Sequence, residues 1–440
     1  MRLIPGFLRR KTKSPFDEFE SVVPADIDPE GSGAFALPPI RMFDARPARL
    51  RRNAVGFSGS ANRLLRNAES QLGNARVSRS GFTPSQPVAD LQRLAGRTEL
   101  MRRVIRSIED QDLHVVLYGD RGIGKTSLLK VINDLATRAQ YLVHYVSCGQ
   151  SASFCEVFRS LASRIPVLYD GTADPTEGGV ARSGSLADRL PADDYSVSQL
   201  TDVLSSIEGV RVLLILDEFD RSDIEAFRRP VGELIKNLSD RSIRLQLLIG
   251  GVAENLTDLV SYIPSIRRNI VGIGVPNLTA DEVDEMVNIA EAQGTIRFDA
   301  AARERIATVS AGLPYLVGLL GQHATLLASD AGDDIIAVTH VDRALAIACD
   351  DISSRLTLRC SHALAQHERS AYADLIRRAA AEATLSGGVI VDSALVAELR
   401  RQGDRLSDLV GPVEDDPRGG WRFHEDGAAS LVWLKSFLPA

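Results

Sequence analysis

The chain has 440 residues and carries 51 Lys+Arg against 58 Asp+Glu, a net charge of −7. With 44% hydrophobic and 25% charged residues it can bury a real core, and its length suggests about two to four domains. Cys148, Cys155, Cys349 and Cys360 are too few for a disulfide scaffold and match no zinc spacing, which fits a reducing cytoplasm. No run of about 18 apolar residues could span a membrane, and the apolar patch at Met1–Leu8 is too short and broken for a signal peptide.

Residues 1–88 are rich in Pro, Gly, Ser and Arg and lack any sustained period, so an irregular arm is expected there. Between Asp44 and Glu69 every charged residue is basic: Arg46, Arg49, Arg51, Arg52, Arg63 and Arg66. Residues 1–90 hold 14 basic and 9 acidic residues, so this part carries +5 and the remainder −12. Two readings stand side by side: a solvated tail, or an arm that binds nucleic acid or a protein partner.

From about Pro87 short β-rich runs alternate with helical patterns. The runs are His114–Tyr118, Tyr141–Val146, Val210–Leu216, Leu245–Ile249 and Ile270–Val275, and the third is apolar almost throughout, as a strand buried on both faces should be. Helical periodicity falls at Ser127–Arg138, Pro230–Leu238 and Leu256–Tyr262. This alternation predicts a parallel sheet covered on both faces. The Gly/Asp/Ser-rich stretch Asp170–Asp194 reads as a surface insertion.

After Pro276 strand signals stop, and helices are expected at Ala280–Ala292, Ala300–Ser310, Leu316–Ser329 and His340–Arg355. Thr279 with Glu282 three residues on has the form of a capping box. Further helices are expected near Ser361–Ala383 and Ser393–Arg401, followed by a turn-rich pair around Val413–Gly420 and Trp421–Phe423. Helices followed by a small β-ribbon suggest a winged helix.

Gly119-Asp120-Arg121-Gly122-Ile123-Gly124-Lys125-Thr126, followed by Ser127, matches G-x-x-x-x-G-K-[ST] and lies between a strand and a helix. Glycines let the backbone curl so that its N–H groups face phosphate oxygens, and the helix N-terminus adds a partial positive charge. Lys125 is placed to bridge the β- and γ-phosphates of ATP, and the Thr126 hydroxyl to ligate Mg²⁺. The buried run 212–216 ends in Asp217-Glu218. A carboxylate there can hold Mg²⁺, and its neighbour can act as general base on water, so Asp217 takes the first role and Glu218 the second. Together the two motifs point to ATP hydrolysis.

With these motifs the chain resembles the AAA+ and STAND ATPases over residues 91–440, and within them the origin-recognition (replication-initiator) type. The resemblance implies an α/β P-loop NTPase sheet of AAA+ type over 89–276, a helical lid over 277–356 and a winged-helix-like domain over 357–440. Gly96-Arg97-Thr98-Glu99-Leu100 is similar to the family's G-R-x-x-E-L element, one residue shorter, and implies that Arg97 lies near the adenine. The loop after Leu245–Ile249 implies a sensor 1 residue at Glu254 or Asn255. Arg267 and Arg268 stand where the family carries an arginine finger reaching the ATP of a neighbouring subunit, although an Arg pair also suits a helix end. Gly312-Leu313-Pro314 resembles the G-L-P element that places a proline over the nucleotide, and proline equally suits a helix first turn.

The resemblance implies a nucleotide-controlled homo-oligomer acting on or near DNA, in a replication, mobile-element or defence context. DNA would be met by the arm or by the winged helix, where Arg400, Arg401, Arg405, Arg418 and Arg422 are basic while residues 356–440 as a whole hold 10 basic and 12 acidic residues. The alternative is a STAND-type signalling switch that recruits a protein partner without DNA. A nucleotide-binding scaffold with little turnover is the third reading.

Overall fold

Five consecutive apolar positions in β3 (Val212–Asp217), Val212 to Leu216, are at most 1% exposed, and this strand lies inside the main sheet. The computed structural model describes residues 81–172, 184–252, 268–294, 296–413 and 419–438, all within one unit that spans 63–440. β1 (His114–Gly119), β2 (Leu142–Ser147), β3, β4 (Leu245–Val252) and β5 (Ile270–Gly274) form a five-stranded sheet in the order β2-β3-β4-β1-β5. Every pair is parallel, with Val115 opposite Leu248, Tyr145 opposite Ile215 and His114 opposite Ile270. The sheet is flanked by α1 (Thr98–Glu109), α2 (Lys125–Arg138), α3 (Phe154–Ser163), α4 (Val197–Leu204) and α5 (Arg229–Asp240). One face packs on Leu128, Leu129, Val131 and Ile132 of α2, the other on Phe158, Phe227 and Leu234. The expected parallel sheet covered on both faces is therefore present.

The helix expected at Leu256–Tyr262, the sensor 1 candidates Glu254 and Asn255, Arg267, Arg418 and the arm up to residue 80 lie outside the described residues, as does the middle of the expected insertion, 173–183. Residues 81–88, expected as the end of the arm, are irregular, with Thr83, Ser85, Gln86 and Pro87 exposed. Phe82 is buried edge-on against Phe298, with ring centroids 5.9 Å apart, and it occupies the space above Gly321 that a side chain there would fill.

The lid contains α6 (Ala280–Gln293), α7 (Ala300–Ser310), α8 (Pro314–Ala331) and α9 (Val338–Ser353). Thr279 and Glu282 form the expected reciprocal capping box. The expectation of no further strands is corrected by a short parallel pair, β6 (Arg297–Phe298) with β7 (Ile335–Ile336).

Beyond the lid lie α10 (Leu358–His367), α11 (Ala373–Leu385), β8 (Val389–Ile390), α12 (Ser393–Arg401), α13 (Gly403–Leu406), β9 (Val410–Pro412), β10 (Trp421–Phe423) and α14 (Asp426–Lys435). The single helix expected over Ser361–Ala383 is two, because the Ser370 hydroxyl captures the Tyr372 amide and competes with helical pairing. The three strands form an antiparallel sheet in the order β8-β10-β9. Apolar contact runs without a break from Leu128 and Ile273, through Leu316 and Ile352, to Leu375 and Leu434, so one face of the sheet, part of the lid and the C-terminal region share a core, while the other sheet face and the rest of the lid pack in clusters of their own.

Candidate functional site

The chain leaves β1 at Gly119 and enters α2 at Lys125 through a turn with positive φ at Gly119, Gly122 and Gly124 (144°, 79° and 97°). At Gly124 a side chain would meet nothing within 4 Å, so the glycine serves backbone conformation rather than packing. The loop and the start of α2 border a cavity of about 380 Å³ between the sheet and the lid. Its lining includes Arg121, Gly122, Gly124, Lys125, Thr126 and Ser127, with Asp217 and Glu218 from the end of β3. Gly119, Asp120 and Ile123 do not line it. Gly119 ends the strand, the Ile123 side chain is buried in the core, and the Asp120 carboxylate turns to Gly388 in the C-terminal region.

Lys125 is only 8% exposed, and its ammonium donates to the carbonyls of Gly119 and Asp120, both at 2.7 Å. Asp217, 3% exposed, accepts from the Tyr145 hydroxyl at Oδ2 (2.6 Å) and from the Glu218 amide at Oδ1 (2.9 Å). Burial, and then the Asp217 carboxylate, push the Tyr145 phenol well above its ordinary value, so it stays protonated and donates. Gly250 in β4 leaves the room this carboxylate needs, since a side chain there would come within 2.6 Å of Leu129 Cδ1 and 3.3 Å of Asp217 Oδ1. Burial together with Asp217, Glu218 and Asp220 raises the nearby Cys148 thiol to about 12, which removes it as a nucleophile.

Glu218 sits in the left-handed region (φ 54°), a conformation costly for a residue with a Cβ and held here by its surroundings. Its carboxylate pairs with Arg221 at 3.0 Å and accepts from the Ser147 hydroxyl at 3.2 Å. Asp220, also in the lining, accepts from the Val252 amide at 2.8 Å and so ties the end of β3 to the end of β4.

Arg97, expected near the adenine, is not among the residues lining the cavity. It is buried and donates to the carbonyls of Ile123 (3.4 Å) and Pro276 (2.7 Å), joining the phosphate loop to the residues that precede α6. Burial lowers its pKa, with Glu282 opposing the shift. The neighbouring Arg93 lines the cavity instead. Pro314 does lie in the lining, at the first turn of α8, beside Tyr315. The Tyr315 amide donates to Gly122 O at 3.3 Å, and its hydroxyl accepts from Arg355 at 2.6 Å, so lid and phosphate loop touch directly.

Arg268 is exposed and precedes β5, at the end of the sheet opposite the phosphate loop, because His114 and Ile270 are register partners in parallel strands. It does not reach this chain's own cavity.

The motifs do not identify several lining residues. Phe82, Pro84, Pro87 and Val88 are among them, with the Val88 amide donating to Ser127 Oγ at 3.1 Å, and Met286 and Ile289 come from α6. The one sequence signal is an apolar Phe82 among glycine and prolines, too isolated to show a period.

Residues 93–249 match the family model described as an AAA ATPase domain. No curated protein matches the chain significantly. Among solved structures, the chain is similar to the RuvB Holliday junction branch migration motor of Thermotoga maritima (18% identity, 76% of this chain and 95% of that chain, TM-score 0.41). It is similar to the ORC2 protein of Aeropyrum pernix (17%, 82% and 97%, TM-score 0.44) and to a Walker-type ATPase of Pyrococcus abyssi (15%, 79% and 98%, TM-score 0.47). At these identities and superposition scores the likenesses say nothing of this chain's substrate. Among the described residues no helix is long and apolar enough to cross a membrane.

Proposed function

We propose that the chain binds and hydrolyses ATP with Mg²⁺, and that nucleotide state controls its self-association on or near DNA. The carrying observation is the convergence of Lys125, Thr126, Asp217 and Glu218 on one cavity of about 380 Å³. The donor set fits the expected ligand. An ammonium and the glycine-turn amides suit phosphate, while a hydroxyl and a buried carboxylate suit a hard divalent cation. Bound Mg²⁺ would neutralise phosphate charge, and Thr126 and Asp217 are the residues that would hold it.

Lys125 exchanges its two loop carbonyls for phosphate oxygens when nucleotide enters. Glu218 accepts the proton of the attacking water at its carboxylate, which requires it to loosen from Arg221 and Ser147. Tyr315 and Pro314 connect the loop to the lid, so differences in phosphate occupancy bias the lid angle. Arg268, with Arg267, would serve the cavity of a second copy, since Arg268 stands away from its own.

We read residues 89–276, 277–356 and 357–440 as nucleotide-binding, lid and winged-helix units, with the irregular segment from residue 81 packed by Phe82 against the lid. The helix–strand order from α10 to β10 supports the winged helix, whose α12 would carry Arg400 and Arg401 to DNA. One observation favours the signalling switch as a second reading. Other basic groups of this region already face acids, with Arg359 on Asp408, Arg378 on Asp374 and Glu398 (2.8 Å), and Lys435 on Glu368. Such pairing suits a protein contact.

The test is the steady-state ATPase rate of wild type and Lys125→Ala, with and without duplex DNA across a salt series. Turnover lost in Lys125→Ala and raised by DNA at low salt supports the first reading. Turnover indifferent to DNA selects the switch, and wild type without turnover removes hydrolysis.

A further inference from the structure

We propose that Tyr145 is a positioning residue for the Asp217 carboxylate, locking it in the orientation that accepts a divalent cation; this rests on the reading of Asp217 as a cation-holding group. No motif marks Tyr145, which stands on the edge strand β2, distant in sequence from both the phosphate loop and Asp217.

The strand register explains how the two meet. β2 and β3 run parallel with Ser147 opposite Asp217 and Tyr145 opposite Ile215. Side chains two apart share a face, so the long phenol of Tyr145 reaches forward along the strand to the carboxylate of its neighbour. The result is a 2.6 Å hydrogen bond to Asp217 Oδ2. The other oxygen, Oδ1, accepts from the Glu218 amide at 2.9 Å. One donor on each oxygen fixes the plane of the group, and Gly250 supplies the space in which it lies.

A carboxylate offers about four lone-pair sites, so two remain after these bonds for an incoming cation or its waters. Without the phenol the carboxylate can turn about its Cβ–Cγ bond, and each cation contact must then bear the cost of ordering it. Donors of this kind behind a metal-holding group set affinity by orientation. The Tyr145 ring packs against the apolar core, so Tyr145→Phe keeps the packing and removes only the hydroxyl.

The experiment uses the full chain and a fluorescent, non-hydrolysable ATP analogue, titrated in EDTA and in rising Mg²⁺. For Tyr145→Phe the analogue affinity in EDTA stays within about twofold of wild type. The Mg²⁺ concentration giving half the full affinity rises about tenfold or more, as loss of an orienting partner predicts. Turnover falls at low Mg²⁺ and recovers at saturating Mg²⁺. Wild-type Mg²⁺ dependence in Tyr145→Phe overturns the proposal, and so does an equal affinity loss in EDTA, which marks a general packing role. Asp217→Asn separates this failure from that of its basis. If Asp217→Asn loses the Mg²⁺ dependence while Tyr145→Phe keeps it, the positioning role alone fails. If both keep it, Asp217 is not the cation-holding group and both ideas fall.

Discussion

The phosphate loop and the C-terminal region handle charge in opposite ways. Around the loop, Lys125 and Asp217 are buried, their polar atoms are held by a few named partners, and both groups border one cavity. In the C-terminal region, Arg359, Arg378 and Lys435 meet acids at the exposed surface. Burying a charge is costly, so a site that does so must return a function, whereas surface pairs contribute about 0–1 kcal/mol each and constrain little. The first region therefore declares its chemistry and the second does not.

The largest break in this comparison comes from Glu218→Gln. Removing the proposed base should lower turnover by about 10²–10⁴-fold while ATP affinity is retained, measured by steady-state hydrolysis beside analogue binding. Turnover within a few-fold of wild type would return Glu218 to a merely structural pairing with Arg221.

The next effect sits inside the sheet. Burial holds the His114 imidazole down to about 4, and its Nδ1 accepts from the Leu247 amide at 3.0 Å. The unfolded imidazole titrates near 6.5, so the unfolded chain takes up the proton first. Stability is therefore full above about pH 6.5 and falls as pH drops toward 4, by roughly 3 kcal/mol from this group. Urea midpoints at about pH 7.5 and 4.5 measure it, and the drop should shrink in His114→Gln.

Gly388→Ala tests the join between the two regions. Its φ is 91°, and an added Cβ would lie 2.1 Å from Asp120 Oδ1, so a loss of about 1–3 kcal/mol is expected by thermal unfolding. The smallest effect concerns Arg400→Ala with Arg401→Ala. If α12 meets DNA, the slope of log affinity against log salt should flatten by about one for each phosphate that an arginine no longer neutralises. An unchanged slope would leave the C-terminal region to protein contacts.

Much of the molecule is legible in the sequence where local rules bind tightly. The glycine turn, Lys125 and Asp217-Glu218 follow from spacing alone, and the five strands from apolar runs bounded by turns. What escapes such reading depends on partners remote in sequence. Tyr145 matters because β2 pairs with β3, and Phe82 because Gly321 leaves a hole for it. The Arg97 bonds to Ile123 and Pro276 escape too, because a five-residue pattern fixes a helix start but not the direction of a long side chain. The break at Ser370 is hidden by helical periodicity that continues on both sides of it.

The unbroken apolar core has a consequence for how the molecule comes apart. Leu128, Leu316, Leu375 and Leu434 belong to one buried body, and Trp433 donates to Val309 O at 2.8 Å while Asn277 ties Ala311 and Thr384 together. This shared body couples one sheet face, part of the lid and the C-terminal region, so a single calorimetric unfolding transition for these parts is the expected outcome. Cutting the chain after residue 356 would strip the shared interior and bare its apolar side to water.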